Sequence, residues 1–401
     1  MIFWRVTLPF LAGYFVSYVY RSINAIIGPD LARDYGLSAA GLGLLSGIYF
    51  FAFALFQLPL GVLLDRYGPR RVNATLLMVA AAGGLWFSLA GSATELIFAR
   101  AMIGLGVSGC LMASFSAFAL WYPAERLATM NGIAFASGML GAIMVTVPLE
   151  VVLRTLHWRE VFYGVVAATV AVSLVLFAVV PEKSAARRAA PLMQQLREYA
   201  ALALDPAFWR MALCVGASQL AAVSLATLWV ATWLRDVAGY SQAEVAQALL
   251  AFNLVMIAGY LGFGRAADAM TRSGRSTLPL LVGGVATASL CLALLALGVR
   301  TGAPVLWCLF FGSATAVVLS YSLFSRRYPK EMAGRVNSAL NVSVFVGMFS
   351  GQWAVGLVIN LWPQTAAGYA AEAYPWALGG LWLVQFLGLL WLWSGRRLFQ
   401  S

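Results

Sequence analysis

Long apolar runs are the feature of this sequence that most restricts its fold. They recur along the whole chain, and each is bounded by charged residues, Gly or Pro. A helix needs about 20 apolar residues to cross the hydrocarbon core of a bilayer. With 62% hydrophobic and 10% charged residues, the chain also has too little charge for a soluble surface. We therefore predict an all-α polytopic membrane protein with twelve transmembrane helices, at residues 6–27, 42–64, 72–90, 96–121, 129–153, 161–180, 208–234, 245–264, 277–298, 305–325, 336–362 and 376–393.

The basic residues predict the orientation of these spans. If the amino terminus is cytoplasmic, nineteen Lys and Arg residues lie inside and five lie outside. Basic residues accumulate on the cytoplasmic side of membrane proteins, so we predict that both termini are cytoplasmic. This placement explains the net charge of +11 without nucleic acid as a partner. The Ala- and Arg-rich composition favours a bacterial inner membrane.

Matched residues at a constant offset indicate an internal duplication. Tyr122-Pro123 and Tyr328-Pro329 lie 206 residues apart, and each pair precedes a Glu by two residues and an Asn by eight. The one long polar connection lies between the two copies. We therefore predict two six-helix bundles, at 1–180 and 207–401, joined by a cytoplasmic linker at 181–206. Duplicated transporters of this kind bind substrate near the bilayer midplane between their halves.

Three segments carry a family resemblance. The segment Gly61–Arg71 resembles the signature between the second and third helices of the Major Facilitator Superfamily, and the segment from Gly264 to Asp268 resembles its degenerate second copy. Arg100, followed by three glycines in the fourth span, is similar to a second signature. The pattern is most similar to the organic-anion branches, which resemble anion:cation symporters. The resemblance implies the two-bundle fold of that superfamily over essentially the whole chain.

The resemblance also implies a latch at the inner ends of the helices. Asp65 would accept hydrogen bonds from a neighbouring helix start and pair with a loop arginine such as Arg126, whereas the simpler alternative is a solvated loop charge. The residues that we assign to this gating motif are Gly61, Asp65, Arg66, Gly68, Arg70, Arg126, Gly264 and Asp268.

Two arginines inside the spans are the strongest candidates for a substrate site, because a charge in the membrane is costly unless it is paired or hydrated. Arg21 belongs to a polar stripe at helical spacing that includes Tyr14 and Tyr18, which argues against a side chain that snorkels to the interface. Arg100 could bind an anion or serve packing or coupling. Because no Asp or Glu lies in the middle of a span, the sequence favours an anionic substrate. Uniport, exchange, or coupling through Glu150 or the substrate stay open.

Neutral polar residues in the second half are weaker candidates. Each of them could contact substrate or hydrogen-bond a neighbouring helix. Trp229 and Trp233 favour an interfacial aromatic belt over a binding platform. The pattern from Gly104 to Gly109 spells GxGxxG, but within a span it indicates close helix packing. The second-half candidates for substrate binding are Gln219, Asn253, Tyr321, Asn341 and Gln352.

The sequence therefore predicts a secondary transporter that moves a small organic anion by alternating access, with Arg21 as the anion-binding residue. Export of amphipathic or drug-like compounds is the alternative within transport, and a membrane-embedded enzyme is a remote one. We expect a small-molecule substrate and the lipid bilayer as partners, a monomer, no catalytic or metal-binding residue and no cofactor.

Overall fold

Helices form nearly all of the structure, a computed structural model that describes residues 2–181, 202–328, 333–363 and 368–399. In these residues, eleven helices are long and apolar enough to cross a membrane, and no β-strand is present. The predicted all-α polytopic architecture is confirmed, and the chain is an integral membrane protein.

The first predicted span is not among these eleven helices. It is divided into a π-helical turn, Phe3–Thr7, a helix α1 (Leu8–Ser22) and a helix α2 (Asn24–Tyr35). At 1.5 Å per residue, the 15 residues of α1 cover about 22 Å, which is less than the roughly 30 Å of a bilayer core. The two helices follow each other directly at Ile23, so together they are long enough to cross.

The second and third predicted spans form one interrupted helix, α3 (Ala39–Leu89). We predicted a loop at residues 65–71, but the backbone leaves the helical region only at Gly68, with φ 78° and ψ 157°. A positive φ is readily adopted by Gly, and Pro69 then begins the next stretch. The remaining helices of the first half are α4 (Ala93–Val107), α5 (Cys110–Trp121), α6 (Ala124–Met144), α7 (Val147–Leu153) and α8 (Trp158–Val179).

The second half contains two further interruptions. A π-helical segment, Leu225–Trp229, lies between its first two helices, and a 3-10 segment, Thr315–Val318, interrupts the predicted tenth span. A last 3-10 turn, Arg396–Phe399, follows the final helix. The helices are α9 (Pro206–Ser224), α10 (Val230–Asp236), α11 (Gln242–Arg272), α12 (Leu278–Ala296), α13 (Ala303–Ala314), α14 (Leu319–Arg327), α15 (Ala333–Ile359) and α16 (Ala373–Ser394).

Interruptions recur at equivalent spans of the two halves. The first span breaks at Ile23 and the seventh at Leu225–Trp229, while the fourth breaks at Ser108 and Gly109 and the tenth at Thr315–Val318. Departures from regular α-helix inside a span commonly mark functional positions. The shared placement accords with the internal duplication.

The chain folds into two compact units. The first comprises Met1–Leu37 and Leu44–Ala189, and the second comprises Ser38–Gly43 and Ala190–Ser401. Most of the predicted linker, residues 181–206, lies outside the described residues, so the exact domain boundaries stay a prediction.

Polar contacts tie together one end of the first unit. Trp158 donates its indole N–H to Asp34 Oδ2 at 2.9 Å, and Arg159 donates to the Tyr35 hydroxyl at 2.6 Å. The His157 ring accepts from the Arg159 backbone N–H and caps the start of α8, which is a structural role. Burial alone would raise the pKa of Asp34, but the Trp158 hydrogen bond and the Arg33 charge outweigh it and lower that pKa.

Candidate functional site

Arg21 lies in the last turn of α1, against an aromatic surface. Its guanidinium carbon is 4.5 Å from the ring centroid of Tyr18, 5.7 Å from that of Phe53 and 5.9 Å from that of Phe50. Such contacts attract a cation to the ring faces. The Arg21 residue is partly exposed, although its Nε atom is buried.

Tyr49 of α3 connects Arg21 to Arg100. Its side chain is fully buried, its hydroxyl donates to the Ser17 carbonyl oxygen at 3.3 Å, and it is hydrogen-bonded to Arg21. The guanidinium carbon of Arg100 lies 5.0 Å from the centroid of the same ring. The tyrosine thus contacts both of the arginines that the sequence places inside spans.

Arg100 is a buried cation with incomplete hydrogen bonding. It is 1% exposed, and its Nε and Nη1 atoms have no hydrogen-bond partner among the described residues. Sequence segments 6–27, 42–64 and 96–121, which supply the helices around it, contain no Asp or Glu. A buried charge without a counter-charge is costly. We call Arg21, Tyr49 and Arg100 the arginine cluster. Its two positive charges create a potential that favours an anion.

Glycines set the close approach of α4 to its neighbours, as predicted for the Gly-rich part of the fourth span. A Cβ atom at Gly104 would lie 2.3 Å from the Tyr49 carbonyl oxygen, and one at Gly106 would lie 2.3 Å from the Ala80 backbone nitrogen. These contacts are with backbone atoms, which cannot rotate away. The packing at Gly104 therefore holds α4, and with it Arg100, beside Tyr49.

The polar stripe of the first predicted span, which continues from α1 to Asn24 in α2, contacts two neighbouring helices. Tyr14 is 4% exposed and packs against α6, where a Cβ at Gly138 would come within 2.6 Å of its ring. Asn24 donates to Ser46 Oγ of α3 at 3.0 Å. Tyr18 is partly exposed, so of the two predicted tyrosines it is the more accessible.

The predicted polar residues of the second unit make different hydrogen bonds. Tyr321 donates to Asn341 Oδ1 at 2.7 Å, which joins two of them. Asn253 donates to the Leu249 carbonyl oxygen one turn back on its own helix, at 2.8 Å. Gln219 is partly exposed.

Gln352 is fully buried in the packing of α15 against the π-helical segment. Its amide nitrogen donates to Thr227 Oγ1, and its backbone carbonyl oxygen accepts from Trp229 Nε1 at 3.0 Å. This burial makes it inaccessible to substrate in this structure. Trp229 and Trp233 are 1% and 3% exposed, so the prediction of an interfacial belt for them is wrong: they pack inside the unit.

The residues of the gating motif lie around the break at Gly68 in α3, in the first turn of α6 and in the last three turns of α11. Arg70 donates to the Phe177 carbonyl oxygen at 2.6 Å and so caps α8, while Arg66, Arg126 and Asp268 are exposed. The Asp65 side chain lies outside the described residues, so its pairing with Arg126 stays a prediction. Added Cβ atoms at Gly61 and Gly264 would meet nothing within 4 Å.

Sequence reasoning missed the aromatic residues of the site. Tyr49, Phe50 and Phe53 lie in a continuous apolar run, where an aromatic residue can face lipid or protein. A tyrosine in such a run is a weak signal for a polar contact, because its hydroxyl needs a partner when it is buried.

Comparison with known proteins identifies relatives and the fold. The chain is 25% identical to a probable sulfoacetate transporter of Cupriavidus necator over 62% of this chain and 60% of that protein, so it spans about three-fifths of that relative. It is 24% identical to a probable galactarate/D-glucarate transporter of Bacillus subtilis over 86% and 83% of the two chains. The crystal structure of a bacterial homologue of the human lysosomal transporter Spinster, in an inward-facing and occupied conformation, has a TM-score of 0.81 at 18% identity and covers 98% of this chain and 97% of that one.

The family assignment rests on a match over most of the chain. Residues 10–352 match the family model of the Major Facilitator Superfamily, which includes every segment that carries the sequence resemblance. The chain belongs to the Major Facilitator Superfamily.

Proposed function

We propose that this protein is a secondary transporter that moves a small organic anion across the membrane by alternating access. The observation that carries the proposal is that Arg21 and Arg100 both contact the buried Tyr49, in a part of the first unit where residues 6–27, 42–64 and 96–121 contain no Asp or Glu. A cation in an apolar setting attracts an anionic group far more strongly than it does in water. Relatives named for sulfoacetate and galactarate or D-glucarate transport support the same substrate class.

In this proposal the two arginines have different roles. Arg21 contacts the anionic group of the substrate, because the residue is partly exposed and its guanidinium is held against aromatic rings. Arg100 is 1% exposed, so it acts through its electric field and through Tyr49. Tyr18, beside Arg21, contacts the body of the substrate.

The test is counterflow in proteoliposomes that contain the purified protein, with sulfoacetate and D-glucarate as the first labelled anions. A carrier accelerates uptake when its own substrate is loaded inside. We expect Arg21→Ala to abolish saturable uptake and Arg21→Lys to retain part of it, because Lys keeps the charge but loses the planar, bidentate guanidinium. Arg300→Ala is the matched control, since Arg300 is an exposed arginine outside the cluster.

Three results would contradict the proposal. Unchanged uptake in Arg21→Ala would show that Arg21 does not bind the substrate. Equal losses of uptake in Arg21→Ala and Arg300→Ala would show that the loss comes from the change in net charge and not from a binding site. Counterflow with amphipathic cations but with no anion from a panel of monocarboxylates, dicarboxylates and sugar acids would favour export of drug-like compounds.

A further inference from the structure

We propose that the carboxyl-terminal end of α16 binds the headgroup of an anionic phospholipid. The site comprises Trp393, Arg396 and Arg397, and we call it the α16 headgroup site. No part of it belongs to the arginine cluster of the first unit, and the proposal does not depend on the identity of the transported solute.

Two arginine–tryptophan stacks lie at this end of the second unit. The guanidinium carbon of Arg210 is 4.5 Å from the ring centroid of Trp391, and that of Arg396 is 4.4 Å from the ring centroid of Trp393. Both tryptophans are exposed, at 49% and 47%. Exposed tryptophans at the end of a span are typical of the membrane interface, where the ring meets the headgroup region.

The two stacks serve different purposes. Arg210 donates through Nη1 to the Trp391 carbonyl oxygen at 2.7 Å and to Ser394 Oγ at 2.6 Å, so it caps the last turn of α16. Arg396 makes one longer hydrogen bond, from Nη1 to the Trp393 carbonyl oxygen at 3.3 Å. Its other donors have no acceptor among the described residues, and the stack fixes the plane in which they point.

The backbone that carries this site is held in place. Arg327 donates to the Leu398 carbonyl oxygen at 2.8 Å, and the Phe399 side chain is buried at 8% exposure. The turn Arg396–Phe399 is therefore anchored at its far end, while Arg397 remains exposed. Because the Arg396 guanidinium is already held against Trp393, it loses little conformational entropy when it binds a phosphate.

Charge and apolar surface together identify the occupant. In the described residues, Arg210, Arg396 and Arg397 form no ion pair, whereas the nearby Arg327 lies 3.7 Å from Asp205. The exposed face of α16 on the amino-terminal side of the site is apolar and includes Leu383, Leu387 and Leu390. A phospholipid matches both parts, since its acyl chains can cover this face while its phosphodiester accepts bidentate hydrogen bonds from Arg396 and Arg397.

The experiment measures lipid binding to the full-length protein, purified in neutral detergent and stripped of lipid. Phosphatidylglycerol, phosphatidylcholine and inorganic phosphate are titrated separately, and bound lipid is counted by native mass spectrometry. Each basic residue near a membrane surface contributes about fivefold to the affinity for anionic lipid. We therefore expect Arg396→Gln with Arg397→Gln to weaken phosphatidylglycerol binding about 25-fold.

Two further variants make the result specific. Arg272→Gln with Arg275→Gln removes two exposed arginines elsewhere in the second unit and should change binding less than twofold. Trp393→Ala keeps every charge but removes the stack, and should weaken binding severalfold. Equal losses in the two arginine pairs would overturn the proposal in favour of nonspecific attraction. Equal binding of inorganic phosphate or phosphatidylcholine would also overturn it, because an anionic lipid would then not be the preferred ligand.

Discussion

Replacing Gly104 with Ala tests whether close helix packing builds the arginine cluster. The added Cβ would lie 2.3 Å from the Tyr49 carbonyl oxygen and 2.9 Å from two further backbone atoms of the same residue. Because ordinary contacts begin near 3.4 Å, α4 and α3 would have to separate by roughly 1 Å. Arg100 lies one helical turn from Gly104 on the same face of α4, so it would move away from the Tyr49 ring.

The expected loss of stability follows from two opposing terms. Overpacking of this kind costs about 1 to 3 kcal/mol, whereas replacing Gly with Ala in a helix gains up to about 1 kcal/mol. We expect a net destabilisation of about 1 to 2 kcal/mol, which corresponds to a fall in Tm of roughly 2 to 8 °C for a unit of this size. Transport should fall as well, because the Arg100 guanidinium would no longer contact the Tyr49 ring.

Gly164→Ala is the matched control for this substitution. Gly164 lies in α8 of the same unit, and a Cβ there would meet nothing within 4 Å. The same chemical change should therefore raise Tm slightly, through helix propensity alone. Thermal unfolding of the two variants, followed by the counterflow assay, measures both effects. The reasoning is refuted if Gly104→Ala is as stable as Gly164→Ala, or if it is destabilised but transports normally.

Three smaller substitutions test polar contacts at the ends of the units. The pKa of Asp34 is lowered below 3.8, so the carboxylate stabilises the folded state above that pH and the contribution is lost as pH falls through the folded pKa. Asp34→Asn should thus lower Tm at pH 7 and match the unmodified protein when the pH falls well below 3.8; a constant difference would contradict this. Tyr328 donates to Asp205 and Tyr122 bonds to Thr7, so Tyr328→Phe should cost about twice as much stability as Tyr122→Phe in chemical unfolding, because its partner is charged. Equal losses would argue against a charge-assisted bond.

Hydropathy predicted the spans well but could not predict where they break. The π-helical segment Leu225–Trp229 contains no Gly or Pro, and its register shift is accompanied by the contacts of Thr227 and Trp229 with Gln352. Those contacts depend on tertiary packing, which local sequence does not specify. By contrast, the break at Gly68 has a local cause, since the conformation there favours glycine.

Orientation within an apolar helix is the other limit on prediction from sequence. Tyr49 and Phe50 are at most 1% exposed, yet the adjacent Phe51 is 43% exposed. A helix that is hydrophobic on all sides has no polar face to mark which residues meet protein and which meet lipid. The polar stripe through Tyr14 and Arg21 could be predicted for the opposite reason, because polar residues are rare enough in a span to define a face.

The internal duplication gives an independent argument that the arginine cluster is functional. The fourth span repeats at an offset of 206 residues, so Leu306 corresponds to Arg100. The second span repeats at an offset of 203, so Phe252 corresponds to Tyr49. The second unit has apolar residues at both positions, and Phe252 is buried at 3% exposure. The second unit therefore folds without a charge at either position. A buried cation that costs stability in one copy and is missing from the other accords with a role in binding rather than in folding.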